Sequence, residues 1–290
     1  MVLNLYARPV DVKTALQLDT ANQPTDGQWE ALLERVCRDI DRALDRRFYS
    51  ETDTVELSGY GGQVLNLHLG RTKPWRGDLI SVTTLKVDTV GDGTFEKTLS
   101  EGSDYWLDPA DPATMHEPAT RLLIPTDRTT TPQVSAWPTG PRRVELAGTF
   151  GYSEETEDSG LTGTLSDASD TSLVASADAS SEIYVGDTLL IESEQVYVSN
   201  VETTTLTVTR GVNGTTAAGH TDASLLRRVF PPEVVECVLL QATRLYREKA
   251  TGYGGSVASF SEGGYSSFRA SYPQIRESLC RFRRTSRLVA

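Results

Sequence analysis

The spacing of apolar residues changes twice along the chain, and this change constrains the fold more than any other feature. From Thr25 to Phe48, apolar residues recur every three or four positions, which is typical of a helix with one buried face. Between residues 52 and 150 the spacing falls to two, which predicts strands. After Phe230 the helical spacing returns. Two helical pieces that are distant in sequence are therefore expected to enclose a common β layer.

The spacing predicts helices over about 25–48, 231–250 and 271–284, and strands within 52–150. Thr25 stands three residues before a glutamine, as in a capping box, so the first helix has a defined start. The predicted fold class is α+β, with a helical bundle packed on a small antiparallel β layer.

The middle of the chain differs in composition. Residues 153–228 carry 13 acids and 3 bases and almost no aromatic side chains. Polar and glycine residues at 153–163 predict a flexible linker. Short strand patterns follow, separated by turn residues, which predicts an inserted all-β barrel or sandwich. We therefore assign 153–229 to an acidic β domain, and 1–152 with 230–290 to one discontinuous domain.

Charge and hydropathy exclude several classes of protein. The formal net charge is −12, which disfavours a protein that coats nucleic acid through a basic surface. The longest nearly apolar run, at 234–240, is far shorter than the roughly 20 residues that a membrane-spanning helix needs. The N-terminus shows no secretion pattern. We expect no membrane association, and synthesis in a cytoplasm.

Residues with catalytic or metal-binding potential are scattered. The histidines are His68, His116 and His220. They lack the spacing of a metal site. The cysteines are Cys37, Cys237 and Cys280, and each lies among apolar residues, which favours core positions over disulfides or ligands. The Gly91-Asp92-Gly93 run favours a hairpin over a calcium loop. Paired carboxylates such as Glu154/Glu155 and Glu192/Glu194 are explained by surface solvation. We predict no enzyme activity, cofactor or metal.

Two charged regions have both a simple and a functional interpretation. The outer face of the helix at 25–48 mixes acids with arginines, which is usual for a solvated surface. Alternatively, it forms a subunit interface through Arg38, Arg42, Arg46 and Arg47. The last predicted helix ends in several arginines, which complement the helix dipole. Alternatively, these arginines contact an acidic protein rim or DNA phosphate.

Several short motifs occur in a recognisable order. They are Arg46-Arg47-Phe48, Lys73-Pro74-Trp75, Trp137-Pro138-Thr139-Gly140, the strand ending in Gly151-Tyr152, and Pro231-Pro232 before the glycine-rich segment and the arginine-rich end. In this order the chain resembles the head-to-tail connector, or adaptor, proteins of long-tailed bacteriophages over 25–152 and 230–290. The inserted residues 153–229 depart from that pattern and resemble a small β module that recurs in phage structural proteins.

The resemblance implies a structural role in the neck of a virion. It implies a ring of identical subunits, twelve in this family, that lies beneath the portal protein and extends the DNA channel. A stopper or tail-completion protein would bind next, and viral DNA would pass through without sequence-specific binding. The resemblance also implies that the C-terminal region docks on the portal. The residues expected to anchor it are Tyr253, Phe260, Tyr265, Phe268, Arg281, Arg283, Arg284 and Arg287.

The alternative function is a tail or neck decoration or carbohydrate-binding module without catalytic activity. The β content of the insert fits such a module. Sugar sites usually display exposed aromatic side chains, however, and the insert offers only Tyr184 and Tyr197. For the insert we favour an outward-facing position on the connector.

Overall fold

The computed structural model describes residues 4–18, 24–68, 77–110, 112, 117–125, 132–250 and 279–283. The α-helices with described bounds are α1 (Pro9–Leu16), α2 (Asp26–Leu44) and α3 (Pro232–Ala250). The strands before the insert are β1 (Glu51–Gly59), β2 (Val64–Asn66), β3 (Leu79–Val87), β4 (Lys97–Leu99), β5 (Trp106–Asp108), β6 (Arg121–Leu123) and β7 (Gly140–Phe150). The strands of the insert are β8 (Thr156–Leu165), β9 (Ser172–Ala175), β10 (Thr188–Ile191), β11 (Glu194–Glu202), β12 (Thr205–Thr209) and β13 (His220–Arg228).

The three helices share one hydrophobic cluster. Helix α2 begins after Thr25, whose backbone N–H donates to the Gln28 side chain at 3.3 Å. Its apolar face is buried, and Trp29 lies against Tyr246 of α3 with ring centroids 4.8 Å apart. The predicted helix at 25–48 therefore forms, but it ends at Leu44 because the next residue adopts a left-handed conformation. We call this group of helices and the sheets beside it the body.

The body sheet has the strand order β1-β7-β3-β4, with every neighbouring pair antiparallel. Its register aligns Leu57, Val144 and Val87 in one row across three strands. A second, three-stranded sheet has the order β2-β6-β5. Both sheets contribute to one hydrophobic cluster, in which Trp137 is among the largest fully buried side chains.

The insert forms a closed six-stranded barrel with the order β10-β11-β12-β9-β8-β13. Its hydrophobic cluster contains only residues of the insert. The prediction of a flexible linker over 153–163 was wrong for most of its length. Strand β8 pairs there with β13 and buries Leu161 and Leu165. The composition of this stretch is polar because its alternate side chains face solvent.

The predicted helical bundle on a small β layer was also wrong. Among the described residues, strand outweighs helix, and the β structure of the body is not a minor layer. Four short strands of three residues each join three longer ones, and together they form two sheets with a hydrophobic cluster of their own. The predicted helix at 271–284 lies mostly outside the described residues, and residues 280–282 form a single 3₁₀ turn.

Candidate assembly surfaces

The four arginines predicted for a subunit interface occupy different environments. Arg38 pairs with Asp41 at 3.0 Å and donates to the carbonyl oxygen of Asn4 at 2.8 Å. Its guanidinium also lies over the rings of Tyr6 and Tyr49. Its contacts are therefore internal to the chain, and they tie the N-terminal segment to α2.

Arg46 and Arg47 also bind within the chain. Arg46 pairs with the buried Asp78 at 3.1 Å, and its guanidinium lies 5.1 Å from the centre of the Tyr152 ring. Arg47 pairs with Glu51 at 3.0 Å. These two ion pairs connect the residues that follow α2 to the body sheet.

Arg42 is the member of this group that faces solvent. Its side chain is 76% exposed and pairs with Asp39 at 2.8 Å, one helical turn away. An exposed pair of this kind stabilises a helix by only about 0.3–0.5 kcal/mol, so the pair can be rearranged by a partner at little cost. The subunit-interface hypothesis therefore narrows to Arg42.

Beneath Arg38 lies a buried hydrogen-bond network. The Tyr6 hydroxyl donates to Asp41 Oδ1 at 2.6 Å and accepts from the backbone N–H of Phe48 at 3.2 Å. Burial raises the pKa of Asp41 to about 6, although Arg38 and the Tyr6 hydroxyl act to lower it. We assign this network a role in stabilising the fold, because its polar groups bind to other groups within the chain.

The predicted portal-binding residues are only partly described. Arg281 pairs with Glu233 and lies 4.5 Å from the centre of the Phe282 ring. Phe282 is buried against Phe48 and Tyr152 with ring centroids 5.5 and 5.4 Å apart. Arg283 is exposed. The remaining predicted anchors lie outside the described residues, namely Tyr253, Phe260, Tyr265, Phe268, Arg284 and Arg287.

The barrel meets the body along a polar seam, which no local pattern in the sequence predicts. Asn213 and Asn4 exchange two side-chain hydrogen bonds of 2.9 Å, and Asn213 also donates to Gln195 at 2.9 Å. The buried Gln195 side chain in turn donates to Ser50 of the body. These contacts join the N-terminal segment, the barrel and the start of β1.

Two further contacts extend the seam. Arg8 donates to Asp187 at 2.8 Å and lies over the Tyr184 ring. Burial raises the pKa of Asp187 to about 6 even though Arg8 lowers it. The Tyr197 hydroxyl donates to Glu30 on α2. The two aromatic residues of the insert therefore contact the body, which removes the strongest candidates for a sugar-binding surface.

The barrel loop at 211–218 carries Asn213 into the seam. Its two ends are hydrogen-bonded to Glu194, whose side chain is fully buried. The guanidinium of Arg210 donates twice to its carboxylate, at 2.8 and 2.7 Å, and His220 Nε2 lies 2.9 Å away. The backbone N–H groups of Gly211 and Ala218 also donate to it. Burial would raise the pKa of Glu194, but these donors outweigh burial and hold the pKa at about 2.

The interpretation of Glu194 as a surface carboxylate was therefore wrong. Glu192 is exposed, as expected, and its carboxylate lies 2.9 Å from His220 Nδ1. Glu192 lies in the turn between β10 and β11, whereas Glu194 is the first residue of β11. Nothing local, however, indicates that Arg210 and His220 converge on Glu194.

Three other predictions concern metal and thiol chemistry. Among the described residues, carboxylate oxygens of Asp88, Asp92 and Glu96 approach within 4.8 Å of one another. Asp88 already accepts from the backbone N–H groups of Gly91 and Gly93 and pairs with Arg143, as expected of a hairpin turn. Cys37 and Cys237 are buried, whereas Cys280 is exposed, contrary to the prediction, because it lies on the outer side of its 3₁₀ turn.

No helix in the described part of the chain is long and apolar enough to cross a membrane. No family model and no curated protein matches the chain. Among solved structures, the chain is similar to one described as "Neck of empty GTA particle computed with C6 symmetry". The two chains share 14% sequence identity with a TM-score of 0.45, and the match covers 100% of this chain and 96% of the other.

Proposed function

We propose that the protein is a structural component of a phage-like neck, forming a ring between the portal and the next neck or tail protein. In this proposal it performs no chemistry. Its body supplies the ring, and its barrel is an attached module. The proposal rests first on the order of elements and motifs that resembles the connector proteins.

One structural observation carries the proposal further. The two residues that flank the insert, Tyr152 and Phe230, lie on the same aromatic cluster of the body. The ring centroids of Tyr152 and Phe48 are 5.4 Å apart, and those of Phe230 and Tyr6 are 4.8 Å apart. Tyr6 and Phe48 are themselves in contact, with ring centroids 5.5 Å apart. A chain that ran directly from the end of β7 into α3 would therefore build the same body, as the simple connector pattern requires.

The net charge suits a protein that encloses DNA without holding it. A channel lined with many free cations would bind phosphate through salt-sensitive contacts and slow the passage of the genome. In the described part of the body, the arginines on α2 are mostly paired with acids, as described above. We place Arg42 in the contact between neighbouring subunits, and the C-terminal residues in the contact with the portal.

The test is ring formation, measured by negative-stain imaging and by co-sedimentation with the portal protein of the same particle. We expect rings with the wild-type chain, and loss of portal binding when Tyr253, Phe260, Tyr265 and Phe268 are all replaced by serine, which leaves the buried Phe282 in place. We expect Arg42→Glu to prevent ring closure. Arg121→Glu is the matched control and should leave ring closure unchanged, because Arg121 is also exposed and forms an ion pair, in this case with Asp108. A wild-type chain that stays monomeric in the presence of the portal would contradict the proposal.

A further inference from the structure

Two exposed apolar side chains, those of Tyr60 and Val90, lie at one end of the body sheet, and a third, that of Val64, follows Tyr60 by four positions at the start of β2 in the second sheet. The described part of the chain has five large, exposed hydrophobic residues, and three of them are Tyr60, Val64 and Val90. The register aligns Leu57 with Val144 and Val144 with Val87. Tyr60 follows Leu57 by three positions, and Val90 follows Val87 by three positions. Both side chains therefore emerge at the same end of the sheet, which we call the sheet tip.

The loop that carries Val90 is held rigidly. The buried carboxylate of Asp88 accepts from the N–H groups of Gly91 and Gly93 and pairs with Arg143 at 3.1 Å. Gly91 has a φ of +98°, and a Cβ atom there would lie 2.1 Å from the Arg143 guanidinium. Val90 is nevertheless 75% exposed.

The loop that carries Tyr60 is fixed in a similar way. The buried Trp137 donates from its indole nitrogen to the carbonyl oxygen of Gln63 at 3.1 Å. Its backbone N–H donates to the carbonyl oxygen of Gly62 at 2.9 Å. Tyr60 is 65% exposed and Val64 is 47% exposed. Apolar side chains on two fixed loops lose little conformational entropy on binding, which is the property of good interface anchors.

The charges around the tip indicate the kind of partner. Asp92 and Glu96 are exposed, whereas Arg142 and Arg143 are paired with Glu56 and Asp88. The tip therefore offers apolar anchors with an acidic edge. This combination disfavours DNA and favours a protein that has an apolar pocket with a basic rim.

The position of the sheet tip, relative to the C-terminal residues, indicates which neighbouring protein would bind it. Phe282, at the C-terminal end of the described chain, packs on Phe48 and Tyr152, next to the first residue of β1. Strand β1 has nine residues, so the tip lies about 27 Å from this end of the sheet at roughly 3.4 Å per residue. A portal bound to the C-terminal region would leave the tip free.

We propose that the sheet tip, through Tyr60 and Val90, binds the stopper or tail-completion protein on the side away from the portal. This inference rests on the proposed function, from which it takes the identity of the two partners. The surface itself follows from the exposure, the fixed loops and the charges.

The test compares two variants of the full chain. The tip variant combines Tyr60→Ser with Val90→Asp. The control is Val174→Asp, because Val174 is 52% exposed and lies on β9 of the barrel. Binding is measured separately to the purified portal ring and to the purified tail-completion protein of the same particle. Unchanged circular dichroism and melting curves confirm that each variant is folded.

We expect the tip variant to bind the tail-completion protein at least tenfold more weakly and to bind the portal as the wild type does. The control is expected to bind both normally. Tail-side binding within twofold of the wild type, or loss of portal binding instead, would overturn the assignment of the tip while leaving the ring proposal intact. A wild-type chain that binds neither protein would overturn the proposed function and this inference with it.

Discussion

Replacing Glu194 with alanine tests whether the barrel depends on its internal ion cluster. The substitution leaves the Arg210 side chain, which is only 6% exposed, without its carboxylate partner. It also removes the acceptor for the backbone N–H groups of Gly211 and Ala218. Breaking a buried pair in this way destabilises a protein by about 3–5 kcal/mol. A domain of roughly 70 residues has a total stability of about 4–11 kcal/mol, so the variant loses a large part of it.

The tryptophans allow the two parts of the molecule to be followed separately. All four lie outside the insert, at Trp29, Trp75, Trp106 and Trp137. Their fluorescence therefore reports unfolding of the body in urea, and hydrogen exchange of the amides in β10–β13 reports opening of the barrel. We expect Glu194→Ala to accelerate barrel exchange by roughly two to three orders of magnitude, since about 1.4 kcal/mol corresponds to a factor of ten.

The control variant is Glu192→Ala. Glu192 is 65% exposed and contacts the other nitrogen of the same histidine. Its loss should cost less than about 1 kcal/mol. The reasoning is refuted if Glu194→Ala accelerates barrel exchange by less than tenfold. It is also refuted if the tryptophan transition shifts as much as the barrel amides do, because the barrel would then share its stability with the body.

Two further predictions concern acid and the seam. The pKa of Glu194 is lowered from 4.5 to about 2. Its contribution to the stability of the barrel is therefore complete above about pH 4.5 and is lost as the pH falls towards 2. Exchange of the barrel amides that already accelerates between pH 7 and 5 would contradict this prediction. Gly214→Ala should open the seam, because the new Cβ atom would lie 2.1 Å from the Thr52 carbonyl oxygen. Gly160→Ala is the control: Gly160 has a similar positive φ but open space around it, so this variant shows the effect of backbone strain alone. Limited proteolysis should cut the chain at 153–155 and 229–231, on either side of the barrel, faster only in the Gly214→Ala variant, and equal cleavage in both variants would contradict the effect of this contact.

Local signals in the sequence were enough to predict some elements. Helix α2 was predictable because its start is marked by Thr25 and its buried face repeats over five turns. The strands of the barrel lie within a stretch whose acidic composition begins just after Tyr152 and ends before Phe230. In both cases the information lies within a short stretch of chain.

The seam and the ion cluster could not be predicted in this way, because they depend on long-range pairing. Glu194 is buried only because Arg210 and His220 come from other parts of the barrel. Similarly, the Asn213 side chain bonds to Asn4, which lies 209 residues earlier in the chain. The strand at β8 was mistaken for a linker because its pairing with β13 compensates for its polar composition.

The separation of hydrophobic clusters and the polar seam together define how the barrel is attached. The barrel cluster has no residue in common with the helical cluster, and the contacts described across the seam are hydrogen bonds, an ion pair and a cation–ring contact. Such contacts fix an orientation but contribute little stability, since each exchanges a bond to water for a bond to protein. Glu194 holds the loop that makes these contacts, and Tyr152 and Phe230 close the body behind it. We therefore expect the ring proposed for the body to form without the barrel, and we expect the orientation of the barrel to depend on Glu194.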